Sequence, residues 1–320
     1  MEHWLAARFP GRAVSLAPAS EDASFRRYFR LCIAGEPSLI VMDAPPGKED
    51  CRPFLHVAGL FAAAGVHVPR VHAADLEQGF LLLEDLGNST YLERLDAVSA
   101  PSLYGAAVEA LLRIQLASRP DTLPAYDRGL LERELRLFPE WYVARQVGVT
   151  LSAAQAQTLE TAFSAILANN LAQPRVYVHR DYHSRNLMVC DPSPGVLDFQ
   201  DAVFGPVTYD LASLFKDAYI RWDEEQVLDW TIRYWEKARG AGLPVAQDFA
   251  DFYRDFEWMG AQRHIKVAGI FARLCHRDGK QRYLADIPPV LEHLLATCRR
   301  YRELNPLAAL LERLRERGPR

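Results

Sequence analysis

The chemistry-bearing side chains of this chain gather in one short stretch, at spacings that a single reaction would use. Asp181 follows His179 by two residues, Asn186 follows Asp181 by five, and Asp198 stands in the apolar run Val196-Leu197-Asp198-Phe199. Phosphoryl transfer needs a carboxylate to take the proton of an attacking hydroxyl. It also needs oxygen ligands, here an amide and a second carboxylate, to hold Mg2+ against phosphate oxygens. A different metal chemistry fits part of the same stretch. His179, Asp181 and His183 alternate, and on a strand alternate residues share a face, as the ligands of a hydrolytic zinc would. Zinc would leave Asn186 and Asp198 without roles, and no other His-rich loop completes the ligand set. Phosphoryl transfer is the stronger reading.

An isolated His-x-Asp is ordinary turn chemistry, so the flanking elements decide. Arg175-Val176-Tyr177-Val178 reads as a strand ending at His179, and Leu187-Met188-Val189 as a second short apolar run. Asp191-Pro192-Ser193-Pro194-Gly195 is turn chemistry, after which Val196-Leu197 re-enters a strand. The carboxylates therefore fall at loop ends. Upstream, Phe25–Ile33 is a short aromatic, Arg-rich strand and Ser38–Asp43 an apolar one. A turn at Pro45-Pro46-Gly47 leads into a helix through Phe54, Leu55, Ala58 and Phe61 to Gly65. Strands at Val71–Ala73 and Gly79–Asp85 follow, and Leu86-Gly87-Asn88 breaks the pattern. Beyond residue 89 the spacing turns helical. Leu130, Leu131, Glu134, Leu135, Phe138 and Tyr142 share a helical face, although Pro139 should kink or end that helix. Ser152 with Gln155 predicts a capping box, and further helices are expected over roughly 223–239, 247–275 and 287–317. Strands around one helix, a breaker and then a helical body predict an α+β, two-lobed protein-kinase-like fold. The small, mostly-β N-lobe would span residues 1–87 and the larger, mainly helical C-lobe 88–320.

The 320 residues are 49% hydrophobic and 24% charged, a globular balance with a formal net charge of −4 that argues against a nucleic-acid surface. Five scattered cysteines, with no C-x-x-C pair, fit a reducing cytoplasm and neither a disulfide framework nor a zinc site. No signal peptide, membrane span or internal repeat is expected, and the chain reads as a monomer.

The run His179-Arg180-Asp181-Tyr182-His183-Ser184-Arg185-Asn186, then Leu197-Asp198-Phe199-Gln200-Asp201 and Gly205-Pro206-Val207-Thr208-Tyr209-Asp210, resembles the aminoglycoside phosphotransferase and choline kinase family. Within it, Val41-Met42-Asp43-Ala44-Pro45-Pro46, Leu82–Gly87, Glu134–Trp141 and Trp258–Lys266 look like the bacterial anomeric sugar kinases of peptidoglycan recycling. Those enzymes phosphorylate N-acetylmuramate and N-acetylglucosamine at the C1 hydroxyl. The resemblance implies ATP as donor and Mg2+ as cofactor, with Asp181 as base and Asn186 and Asp198 as metal ligands. It makes Asp210 the brace of the catalytic loop and His179 a buried scaffold, and leaves Asp201 between a site carboxylate and a turn residue. Glu84, Asp85 and Leu86 would present backbone to the adenine edge where the lobes join.

The chain departs from the kinase pattern in its small lobe. It has no G-x-G-x-x-G, so Ser20–Phe25, with Ser24 and Phe25, would cover the phosphates through backbone N–H groups. The strand Leu39–Asp43 lacks the usual phosphate-pairing lysine, and the helix after it lacks an obvious glutamate partner. Arg26, Arg27, Arg30 and Arg185 could substitute, since guanidinium binds phosphate bidentately. Each of the three strand arginines also reads as part of a solvated face, and Arg185, beside Asn186, is the better placed. His183 would lie against the transferred phosphate or substrate. For the acceptor, Trp258, Gln262 and Lys266 form one helical stripe, with Arg263 and His264 beside it. A flat aromatic, an amide and a cation suit a sugar ring, an acetamido group and a carboxylate. Glu134 and Glu140-Trp141 form a second set. Such a polar stripe predicts a cleft or plain solvent. An aminoglycoside or choline-like acceptor and a catalytically dead binding protein remain as alternatives. The cationic acceptor candidates argue against a polycationic substrate, and the intact Asp181, Asn186 and Asp198 argue against a dead one.

Overall fold

Five short strands between Val14 and Glu84 pair into one antiparallel sheet in a computed structural model that describes residues 1–21 and 25–317. Its strands are β1 (Val14–Glu21), β2 (Arg27–Ile33), β3 (Leu39–Asp43), β4 (Val71–Asp75) and β5 (Phe80–Glu84), in the order β1-β2-β3-β5-β4. The first strand escapes a sequence reading because Pro18 interrupts it. At an edge, however, only one side of the strand must donate, and a bulge between Pro18 and Ser20 absorbs the mismatch. A short helix, α1 (Glu2–Arg8), seals one face of the sheet. Its Trp4 and Leu5 pack with Leu31, Ile33, Val41, Phe80 and Leu82.

Contacts divide the chain into two units. The first comprises residues 1–114 and 185–201, the second 115–184 and 202–320. The expected division at residue 87 differs from this one: the helices α3 (Tyr91–Arg94) and most of α4 (Ala100–Leu116), with the stretch carrying Asn186 and Asp198, belong with the small sheet. In the first unit α2 (Arg52–Ala63) runs as expected, and Gly65 leaves its end at φ +75°, a conformation glycine adopts without strain. The strands β6 (Arg175–Val178) and β9 (Val203–Pro206) pair in the second unit, while β7 (Leu187–Met188) and β8 (Gly195–Val196) make a hairpin in the first. Backbone bonds tie that hairpin into its own unit: Val196 N–H donates to the His67 carbonyl and Val189 N–H to that of Ser89, each at 2.8 Å. Phe199 packs between Phe54 and Phe61, with ring centroids 4.8 and 5.9 Å away.

The second unit is helical: α5 (Arg128–Leu137), α6 (Ala153–Ala172), α7 (Tyr209–Phe215), α8 (Glu224–Gly240), α9 (Phe249–Asp278), α10 (Ile287–Arg300) and α11 (Asn305–Arg317). The Ser152–Gln155 capping box opens α6 as predicted. Pro139 ends α5 but not the helical path, which continues as a π-helix over Phe138–Val147, whose wider hydrogen-bond step tolerates the missing donor. The helix expected over 287–317 is two, because Pro306 cannot donate to the preceding turn. The 30-residue α9 runs through the middle of this unit against α5, α6, α7, α10 and the π-helix. At Gly269 a Cβ would meet the Leu137 carbonyl carbon at 2.5 Å, so only glycine lets α9 pass this close to α5.

Candidate active site

Strand β6 is buried up to Val178 and delivers His179 and Asp181 into a loop of the second unit. Asp210, in the first turn of α7, shapes that loop. Its carboxylate accepts the backbone N–H of His179 at 2.6 Å and of Arg180 at 3.0 Å. Held this way, Arg180 adopts φ +78°, a conformation that costs a non-glycine residue energy and that only surrounding structure sustains. Burial pushes the Asp210 carboxyl up to about 7 against the pull of those two amides and Arg263. His179 is fully buried, accepts the Asp181 N–H at 3.3 Å through Nδ1 and lies edge-on to Tyr182.

Three cations converge on Asp181. The Arg180 guanidinium donates to Glu134 Oε1 at 2.6 Å, and Lys266 Nζ lies 3.1 Å from the same oxygen and 3.0 Å from the Tyr209 hydroxyl. Arg263 donates to the Arg180 carbonyl at 2.7 Å. Burial alone would push the Asp181 carboxyl up. Lys266, His183, Arg263 and Arg180 outweigh it and hold the group far below the usual carboxylate range. Asp181 is thus an ionised carboxylate in a positively charged surround.

A second brace on the loop has no local signature in the sequence. Asp217 Oδ2 accepts both the N–H (2.9 Å) and the hydroxyl (2.5 Å) of Ser184, while Oδ1 takes the Tyr219 N–H at 3.0 Å. The Tyr219 ring meets His183 edge-on. Replacing Asp217 with alanine should orphan these buried donors, lowering stability by about 1–3 kcal/mol. Turnover should fall with it, since Ser184 lies between Asp181 and Asn186. Urea unfolding and steady-state rates test this, and a variant unchanged in both would remove Asp217 from the loop's support.

In the first unit the Leu197 N–H donates to the Asn186 carbonyl at 2.9 Å, which sets Asn186 beside Asp198. Their side chains approach to 3.5 Å, and Gln200 donates to the other Asp198 oxygen at 2.9 Å. Asp198 sits at φ +61° with its side chain 40% exposed, so a strained backbone presents a carboxylate to solvent. Two hard oxygen donors side by side fit Mg2+. Zinc does not fit: among the described residues no three His, Cys, Asp or Glu side chains gather as a ligand set, and His179 Nδ1 is occupied by the Asp181 backbone. Asp201 is exposed.

Of the residues expected to meet nucleotide, Ser24 lies outside the described residues. Phe25 is exposed, with its N–H on Glu49 and Lys48 over its ring. Glu84 ends β5, its N–H bonded to the Arg70 carbonyl and its carboxylate accepting the Arg70 N–H. Leu86 is buried against Gly195. Arg185 is exposed. Arg27 pairs with Asp43, and Arg30 with Asp85 at 2.5 and 3.0 Å.

The acceptor expectation needs correcting. The stripe predicted to face a cleft or solvent is internal, because α9 is surrounded by other helices. Gln262 is fully buried and donates to the Leu131 carbonyl at 3.0 Å. Trp258 is 2% exposed, beneath the Arg254 guanidinium and edge-on to Tyr301. His264 bonds the Lys216 carbonyl and stacks on His293. Arg263, Lys266 and Glu134 join the Asp181 surround and satisfy one another there.

The profile of the phosphotransferase enzyme family matches residues 15–243. The N-acetylmuramate/N-acetylglucosamine kinase of Pseudomonas aeruginosa is 54% identical over 299 residues, covering 93% of this chain and 88% of that protein. Its namesake in Neisseria meningitidis serogroup B is 50% identical over 318 residues, covering 98% and 95%. Among solved structures, a choline/ethanolamine kinase family protein of Mesorhizobium loti superposes with a TM-score of 0.64 at 15% identity, covering 97% of this chain and 95% of that one. That similarity extends the likeness to the fold, which is the protein-kinase-like fold expected from the strand and helix pattern. With a braced His179-Arg180-Asp181 loop, paired Asn186 and Asp198 oxygens and relatives matched along nearly its whole length, the chain belongs to the phosphotransferase enzyme family.

Proposed function

We propose that this enzyme transfers the γ-phosphoryl group of ATP to the anomeric C1 hydroxyl of N-acetylmuramate and N-acetylglucosamine, in the recycling of cell-wall amino sugars. Asp181 takes the proton from the acceptor hydroxyl. Asn186 and Asp198 hold Mg2+, which when bound neutralises charge on the phosphate oxygens. The amino-sugar acceptor is supported by the names of relatives at least 50% identical over most of their length.

One observation carries the choice of hydroxyl. Asp181 is held far below the usual carboxylate range by Lys266, His183, Arg263 and Arg180, so it is a weak base. A weak base serves best where the proton it removes is acidic, and an anomeric hydroxyl is more acidic than an ordinary alcohol. The same cations disfavour an aminoglycoside, whose own positive charges they would repel.

Phosphorus NMR of the product tests the assignment. Incubation with ATP, Mg2+ and either amino sugar should give a sugar 1-phosphate, and the 1-O-methyl glycosides should not react. Phosphorylation of the blocked glycosides at the normal rate would place the transfer at another hydroxyl. No helix among the described residues is long and apolar enough to cross a membrane.

A further inference from the structure

Helix α9 is covered along most of its length, and the place where it opens is specific. Every residue from Phe256 to Lys266 is buried. Val267, Ile270 and Arg273 are then half-exposed, while Ala268, Gly269, Phe271 and Ala272 between them are buried. Steps of three keep these positions on one side of the helix. The same side carries Arg263 and Lys266, whose charges act on Asp181. An uncovered strip thus runs along α9 away from the surround of Asp181, with two apolar positions first and then an arginine.

Arg273 is unlike the cations before it. Arg263 donates to the Arg180 carbonyl, and Lys266 faces Glu134. Arg273 Nε is closed off from solvent without a hydrogen-bond partner, and among the described residues no carboxylate forms an ion pair with its guanidinium. Asp278 acts on it only from a distance, being held by Arg277 through bonds of 2.7 and 2.9 Å, and Glu140 of the π-helix is a second distant charge. Burial and the like charge of Arg277 outweigh both, so Arg273 is shifted downward where Arg263 and Lys266 are shifted upward. A half-buried cation short of a counter-charge is a place where a bound anion would be stabilised.

One of the two proposed acceptors brings such an anion. N-acetylmuramate carries a carboxylate on the lactyl arm of its ring, where N-acetylglucosamine has a hydroxyl. Arg273 stands seven residues beyond Lys266, about 10 Å along the helix axis. A sugar ring, its lactyl arm and an arginine side chain together fill such a span, and Val267 and Ile270 suit the ring's apolar face. We propose that Arg273 recognises the acceptor's carboxylate through the two-pronged pairing of guanidinium with carboxylate. The inference rests on the amino-sugar reading above. It makes Arg273 a specificity residue, which tells the two sugars apart without touching the transferred phosphoryl group.

Steady-state kinetics of the full chain on both sugars, with ATP and Mg2+, provide the test. Arg273→Ala should raise the ratio of KM for N-acetylmuramate to KM for N-acetylglucosamine by about 10- to 100-fold, the loss expected for a charged hydrogen-bond pair. Arg273→Lys should recover part of that ratio, which a merely structural role would not predict. If Arg273→Ala melts out, Arg273→Gln is read in its place. The parent supplies a measurement that needs no variant: the methyl ester of the lactyl carboxylate should show a KM raised over the free acid by a similar factor. A parental KM ratio in the folded, uncharged variant, an equal loss on both sugars, or an ester used as well as the acid overturns the role of Arg273 and leaves the kinase assignment standing. A parent protein that phosphorylates neither sugar overturns the amino-sugar reading itself, and this inference falls with it.

Discussion

Asparagine at position 181 should leave a folded protein that still binds nucleotide and turns over about 10²–10⁴-fold more slowly. The substitution keeps the shape of the side chain and the backbone bond from Asp181 N–H to His179, and removes the negative charge of the carboxylate proposed to accept the proton. The surround makes a further prediction about pH. Because the folded carboxyl is held below its ordinary value, it stays ionised through the neutral range, and the acid limb of kcat should lie below the usual carboxylate region near pH 4. By the same sign, the stabilisation Asp181 gains from its cations is present above that region and is lost as pH falls through the lowered value. Single-turnover rates of the purified variant, with circular dichroism to confirm folding, are the measurement. A variant keeping more than a tenth of the parent rate would remove Asp181 from the role of base.

The largest effect on stability should come from Glu134→Ala, at about 3–5 kcal/mol. Glu134 is 6% exposed and faces Arg180, Lys266 and the Tyr126 hydroxyl. Its removal strands two cations in the interior, and an uncompensated buried charge costs more than the pair contributed. Burial raises the Glu134 carboxyl, but Lys266 and Arg180 pull harder and the net shift is downward. Its contribution is therefore present above the ordinary carboxylate range and fades as pH falls through the lowered value. Urea unfolding of parent and variant should show a wide gap at pH 7 that narrows below about pH 4. A gap of constant width down to acid pH would show that charge is not the cause.

Sequence reasoning reached the parts of the site whose geometry is local. Asn186 and Asp198 flank one short hairpin, so spacing alone sets them side by side, and Asp181 stands in the loop that follows β6. Asp210 followed from the resemblance, and its two bonds to the loop agree with a brace. What stayed hidden depends on distant pairing. Asp217 meets Ser184 across 33 residues, and no local pattern marks it. Glu134 and Lys266 were read as ligands for an acceptor because a polar stripe on a helix shows which residues share a face, not what that face meets. Here α9 turns its polar side to other polar groups, so Trp258 and Gln262 are interior. Strand β1 was missed for the opposite reason, since Pro18 breaks a rule that binds central strands and spares edges.

The first unit is assembled from two separated stretches, residues 1–114 and 185–201. During synthesis its N-terminal part therefore leaves the ribosome without the hairpin that completes it. At roughly 5–20 residues per second, the gap between residues 114 and 201 lasts about 4–17 s. For that interval Phe54 and Phe61 lack Phe199, and the His67 and Ser89 carbonyls lack the hairpin's N–H groups. Vectorial folding from the N-terminus cannot finish the sheet-bearing unit before most of the chain exists. A nascent chain arrested before residue 185 should expose apolar surface, recruit chaperones and be cut readily by protease, and one arrested well beyond residue 201 should not.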